Sequence, residues 1–142
     1  MNLRSSYPRS IREKLGGYVH LGRMIDKCRA KGTDTLGEYI YPCPMDKLLL
    51  DFLGITAELF FEAVRSRSDD EMVQWVESTA RSHTPQELKE WNFALLTRGP
   101  ETDEKREYFR TILEKIDPSR TDITSWAGLL DLEEGRAVPL KG

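Results

Sequence analysis

From residue 44 onward the sequence is punctuated at short intervals by helix-start and helix-stop signals, which confines it to a series of short helices. Pro44 suits the first turn of a helix carrying Met45, Leu48, Leu49, Phe52 and Leu53, and Gly54 ends it. Thr56 is a capping residue ahead of Leu59, Phe60, Ala63 and Val64. Ser68 and Glu71 have capping-box spacing before Met72, Val73, Val76 and Ala80. Thr84-Pro85-Gln86-Glu87 repeats the device ahead of Leu88, Trp91 and Leu95, and Gly99-Pro100 stops that helix. Residues 103–116 place Tyr108, Phe109, Ile112, Leu113 and Ile116 at helical spacing, closed by Asp117-Pro118. A last helix over residues 125–134 offers Trp126, Leu129 and Leu130 before Gly135, and the tail RAVPLKG is expected to fray or lie along the surface.

The first third of the chain is less regular. Ser10 and Glu13 have the spacing of a capping box, so a short helix is expected near Ser10. Gly16-Gly17 then predicts a tight turn, since adjacent glycines admit positive φ. A helix from about Tyr18 to Lys31 follows, with Tyr18, Leu21, Met24, Ile25 and Cys28 on one face and Gly32 as its stop. Glu38-Tyr39-Ile40-Tyr41 alternates in the manner of a strand but has no partner, so residues 38–42 are expected to form a lone extended segment. Short connections, no long linker and no fixed repeat predict an all-α fold. The expectation is a single helical domain over residues 1–142, a compact bundle of about six or seven helices.

Composition narrows the class. With 142 residues, 39% hydrophobic and 32% charged, the chain has the means to bury a core and is neither disordered nor membrane-spanning in character. MNLRSSYPRS has no apolar signal core, so the expected location is the cytoplasm. Cys28 and Cys43 form neither a CxxC pair nor half of a zinc set, and a reducing compartment disfavours a disulfide. No cofactor or metal is expected: there is no HExxH, P-loop, dinucleotide fingerprint, nucleophile elbow or EF-hand pattern. The net charge of −3 hides an asymmetry, because residues 1–31 carry Arg4, Arg9, Arg12, Lys14, Arg23, Lys27, Arg29 and Lys31 against Glu13 and Asp26 alone. Such a head either docks on the acidic helices of its own chain or meets an anion, and internal docking is the favoured expectation.

The candidate site lies on the first long helix. His20, Arg23, Lys27 and Lys31 fall on one arc bordering the apolar face at Met24. Arg23 can grip a carboxylate or phosphate through two hydrogen bonds, Lys27 acts as a point charge, and His20 can donate or shuttle a proton. The competing reading is a solvated face that pairs with acidic residues. Asp26, with Arg23 and Arg29 each three residues away, reads first as a partner for an arginine and second as a ligand-orienting carboxylate. Tyr39 and Tyr41 would offer two phenols to the same ligand if their segment is extended. Cys43 stands at the start of a helix, where a thiol is activated, although neither histidine is near it in sequence. Cys28 belongs to the core. His83 reads as a loop residue, Trp75, Trp91 and Trp126 as core anchors, and Asp131, Glu133 and Glu134 do not converge on one metal by helix spacing.

Taken together, LGGYVHLGRMIDKCRA, TLGEYIYPCPMDKLLLDFLGI and WAGLLDLEEGR resemble a bacterial family of small proteins known as a domain of unknown function. The resemblance implies a bacterial, cytoplasmic, single-domain protein and brings no catalytic residue with it. The leading expectation is therefore a non-catalytic binding or interaction domain that presents a basic helix edge to an anionic small ligand or an acidic protein surface. The alternative is a small enzyme without a familiar motif, with His20 as acid or base, Arg23 and Lys27 stabilising negative charge and Tyr39 assisting. Nucleic-acid binding through the basic head is a weaker alternative, no membrane association is expected, and the oligomeric state stays open.

Overall fold

A computed structural model describes residues 2–140. Seven helices and no strand occur among the described residues: α1 Leu21–Gly32, α2 Pro44–Leu53, α3 Ala57–Val64, α4 Asp69–Thr79, α5 Pro85–Thr97, α6 Asp103–Ile116 and α7 Trp126–Glu133. The fold is all-α, and none of these helices is long and apolar enough to cross a membrane. Of the tail RAVPLKG, Lys141 and Gly142 lie outside the described residues.

The start signals act as their chemistry dictates. Thr56 Oγ1 accepts from the Leu59 amide at 3.1 Å, and Ser68 and Glu71 exchange reciprocal bonds of 3.2 and 3.1 Å. Thr84 and Glu87 do the same at 3.1 and 2.9 Å. Thr102 and Ser125 cap α6 and α7 through the amides of Lys105 and Gly128, each at 3.1 Å. Each such cap satisfies an amide that the helix leaves orphaned and contributes about 1 kcal/mol. Gly54 closes α2 with a φ of 72°, the left-handed conformation that glycine adopts without strain.

The chain divides into two compact units, Met1–Leu88 and Lys89–Gly142, with α5 spanning the boundary. In the first, α1 packs on α3 and α3 on α4, and Ile11, Val19, Leu21, Met24, Ile25, Leu49, Leu53, Phe60, Met72 and Val76 are buried. In the second, α6 packs on α7 around Phe109, Leu113, Ile123 and Leu129, with Trp126 edge-on to Phe109 at 5.1 Å.

The first residues depart from expectation in two places. No helix forms near Ser10, and the Ser10–Glu13 pair makes only a turn, Glu13 N to Ser10 O at 3.1 Å. Ile11 instead offers its carbonyl to the His20 amide at 2.9 Å, which a helix over these residues would have used internally. Helix α1 begins at Leu21 rather than Tyr18, because Leu15 and Tyr18 exchange two backbone hydrogen bonds of 3.0 Å around the Gly16-Gly17 turn. Both glycines take positive φ, 60° and 87°, as a two-residue hairpin turn requires. A Cβ on Gly16 would lie 2.9 Å from Val73 Cγ1, on a stiff branched side chain. Gly16→Ala is therefore expected to lower unfolding free energy by about 1–3 kcal/mol in a urea titration, combining left-handed strain with crowding. Residues 38–42 join α1 to α2 without pairing into a strand, and Tyr41–Pro42 is a cis peptide.

Candidate functional site

Two polar clusters lie in the unit Met1–Leu88, and α1 contributes to both. One is an ion-pair chain. The Arg9 backbone amide and its guanidinium Nε both donate to Asp26 Oδ2, at 2.9 and 3.1 Å, while Nη2 reaches Oδ1 at 3.1 Å. Gly22 makes room for this, since a Cβ there would stand 3.0 Å from Arg9 Nε. Arg9 Nη1 also donates to Asp69 Oδ2 at 2.8 Å, and Arg29 Nη1 lies 2.9 Å from Asp69 Oδ1. Burial works against the Asp69 charge, yet the hydrogen bond from Arg9 and the charges of Arg9 and Arg29 hold its carboxyl below the usual range. Asp26 is thus an arginine's partner, though the arginine comes from the N-terminal arm and not from α1.

The second cluster carries more chemistry. His20 is the N-cap of α1 and stands at φ 70°, left-handed without being glycine, a conformation that histidine adopts more readily than most residues. Its Nε2 lies 2.7 Å from Asp46 Oδ1 on α2. The other carboxylate oxygen, Oδ2, accepts from Lys27 Nζ at 2.5 Å and from the Cys43 amide at 2.9 Å. Lys27 Nζ also lies 3.2 Å from Cys43 Sγ. Four side chains from α1, α2 and the residue that caps α2 therefore form one hydrogen-bonded line, His20–Asp46–Lys27–Cys43. His20, Asp46 and Lys27 are 1%, 0% and 3% exposed, whereas Cys43 is half-buried and forms the outer end.

The electrostatics are self-consistent. Burial pushes the His20 pKa down, outweighing the pull of Asp46, with Lys27 and Arg23 adding to the depression. A neutral His20 then donates Nε2–H to Asp46 and turns a bare Nδ1 lone pair into the interior, where that atom has no hydrogen-bond partner. For Asp46, burial alone would raise the pKa. The His20 hydrogen bond, the Lys27 charge and the Cys43 amide overcome it and hold the carboxyl well below the usual carboxylate range. Burying so many ionisable groups without a function is costly, which is why such clusters mark functional sites more often than plain cores do.

The remaining candidates are distributed as follows. Arg23 is buried, donates to the Arg9 carbonyl at 3.2 Å and sits over the Tyr39 ring at 5.6 Å. Tyr41 is buried and donates its hydroxyl to Ala57 O at 2.7 Å, so that phenol is engaged by the backbone. Burial, followed by the neighbouring Cys28, raises the Tyr41 pKa. Cys28 is a core residue whose thiol burial pushes up to about 12. Lys31 is exposed and stands 6.0 Å from the Phe61 ring. His83 donates Nε2–H to the Phe52 carbonyl at 2.8 Å and stacks on that ring at 3.7 Å. Asp131 and Glu134 both face Arg136, and no group of three metal-ligating side chains converges among the described residues.

Sequence reasoning passed over Asp46, the residue that joins the cluster. Its signal was the three-residue spacing from Cys43, which places a carboxylate at the third helical position behind an N-cap and aims it back at the cap amide. No curated protein matches the chain. Residues 5–136 match the domain of unknown function DUF5069, and the chain belongs to that family.

Proposed function

We propose that this protein is a binding domain of the bacterial cytoplasm that takes a small anionic ligand at the Cys43 end of the His20–Asp46–Lys27–Cys43 line. The observation that carries the reading is the Lys27 ammonium placed 3.2 Å from the Cys43 sulfur and fixed there by a buried carboxylate. Cys43 also caps α2, so the partial positive charge of that helix's N-terminus adds to the attraction for an anion. Both cysteines are free thiols, which suits a reducing compartment. In this reading the basic edge of α1 acts through Lys27 alone. Arg9 and Arg29 are spent on Asp26 and Asp69, which weakens the case for nucleic acid or an acidic protein surface.

An enzyme is the second reading, favoured by the unbroken hydrogen-bonded path from His20 to a partly accessible nucleophile. Cys43 would be the attacking atom on an electrophilic ligand. His20, too buried to touch it, would serve as the far end of a proton path through Asp46 and Lys27. Both readings meet the same test. With iodoacetamide under native conditions, Cys43 is expected to alkylate while Cys28 stays unmodified, as peptide mass spectrometry would show. Lys27→Gln is expected to slow Cys43 alkylation about tenfold, the worth of a hydrogen bond from a charged donor. A Cys43 rate that ignores the Lys27 substitution in a folded variant would remove the basis of both readings.

A further inference from the structure

The contact between the Lys27 amine and the Cys43 thiol has a chemical consequence of its own. Lys27 Nζ is 3.2 Å from Cys43 Sγ, and its residue is 3% exposed and held in place by an Asp46 carboxylate oxygen 2.5 Å away. Cys43 is half-buried while the other three members of the line are buried, so it is the member that a reagent as small as hydrogen peroxide would meet. We infer that Cys43 and Lys27 are a peroxide-driven modification site that closes to a covalent sulfur–nitrogen bond, a reversible redox switch inside the candidate site. The inference rests on the reading of Cys43 as the reacting atom.

The Cys43 sulfur attacks one oxygen of hydrogen peroxide; the S–O bond forms, the O–O bond breaks, and the departing hydroxide takes the thiol proton to become water, leaving a sulfenic acid. Sulfur is oxidised by two electrons and the peroxide is reduced by the same two. The Lys27 ammonium then releases one proton to solvent water at the Cys43 end of the line, and its freed lone pair attacks the sulfenic sulfur. The S–N bond forms, the S–O bond breaks, and the hydroxyl leaves as water with a second proton from the nitrogen. No further oxidant is consumed. Two equivalents of an external thiol reverse the linkage, restoring the Cys43 thiol and the Lys27 amine and forming one external disulfide.

Geometry decides which fate the sulfenic acid meets. An amine held in contact competes at an effective concentration far above any second peroxide molecule, so linkage precedes over-oxidation to the sulfinic acid. Cys28 is the other conceivable partner, but its thiol is 1% exposed and burial disfavours its reactive thiolate. The linkage also changes the line behind it. Lys27 loses its charge, so Asp46 keeps only the His20 and Cys43 hydrogen bonds against burial, and the ammonium no longer faces a ligand.

The test uses the purified full chain, a few equivalents of hydrogen peroxide, and non-reducing digestion with tandem mass spectrometry. The expected product is a peptide pair joined through Lys27 and Cys43, about 2 Da lighter than the two reduced peptides together and lost on treatment with dithiothreitol. Trypsin should fail to cut after Lys27 in that product. Cys43→Ser, which retains an effective capping side chain, should abolish it. Lys27→Arg preserves the positive charge opposite Asp46 but not the nucleophilic amine, and should divert Cys43 to sulfinic acid. A Cys28–Cys43 disulfide, a linked pair about 14 Da heavier through a retained oxygen, or sulfinic acid alone on the unaltered chain would each overturn the inference. If Cys43 alkylates with iodoacetamide as described above yet gives none of the linked product, the inference fails and the binding reading stands. Failure of both reactions sinks the two together.

Discussion

Asp46→Ala is expected to remove about 3–5 kcal/mol of stability, the largest loss of any single polar substitution in the unit Met1–Leu88. The reason lies in what is left behind. Asp46 is 0% exposed and holds three donors at once: His20 Nε2, Lys27 Nζ and the Cys43 amide. Truncating it strands a buried ammonium without a counter-charge and leaves a buried imidazole N–H without an acceptor. The measurement is the urea midpoint at neutral pH with an unchanged slope. Because the penalty belongs to the abandoned Lys27 charge, the pair Lys27→Met with Asp46→Leu should lose less than Asp46→Ala alone. If the double substitution is the worse of the two, the stranded-charge account is wrong.

The second large effect is a loss of stability on mild acidification. Burial depresses the His20 pKa in the folded chain, while an unfolded histidine titrates near 6.5. Below that pH the unfolded chain binds a proton that the folded one refuses, so stability falls as pH drops, by up to about 1.4 kcal/mol per pH unit from this group alone. Asp46 adds to the loss further down. Its folded pKa is depressed, so the stability it brings is complete above the ordinary carboxylate value near 4 and disappears as pH falls from there through the folded value. His20→Asn tests the first step, since asparagine tolerates the left-handed backbone at this position. The variant should be less stable at neutral pH yet show a flatter dependence between about pH 6.5 and 5. Parallel curves for the two proteins would assign the acid sensitivity elsewhere.

Much of the helical punctuation was legible because capping is local. Thr56, Ser68 and Thr84 satisfy amides three residues ahead, and Gly54 takes the left-handed turn that ends its helix. The same locality explains where sequence reasoning stops. Ser10 and Glu13 carry a start signal as clear as that of Ser68 and Glu71, yet no helix follows, because the Ile11 carbonyl and the Arg9 amide have partners far along the chain. His20, Lys27 and Cys43 were each legible as chemistry-bearing residues. What brings them together is Asp46, 26 and 19 residues from His20 and Lys27, a separation that periodicity does not reach. Burial reversed the expected character of the α1 edge for the same reason: Arg23 and Lys27 keep helical spacing and His20 stands at the N-cap, but Arg9, Tyr39 and Asp46, all outside the helix, close over them.

The ion-pair chain from Asp26 through Arg9 and Asp69 to Arg29 is graded along its length, with the Asp26 side chain 3% exposed and that of Asp69 38%. Ionic strength therefore acts on it unevenly. Mobile ions collect around the Asp69 end and weaken its attraction for both arginines, but they have no access to the Asp26 end, where the Arg9 backbone amide and guanidinium stay bound. Salt thus loosens the hold of the N-terminal arm on α4 while leaving its hold on α1 intact, so the arm responds to its medium as a hinge fastened at one edge.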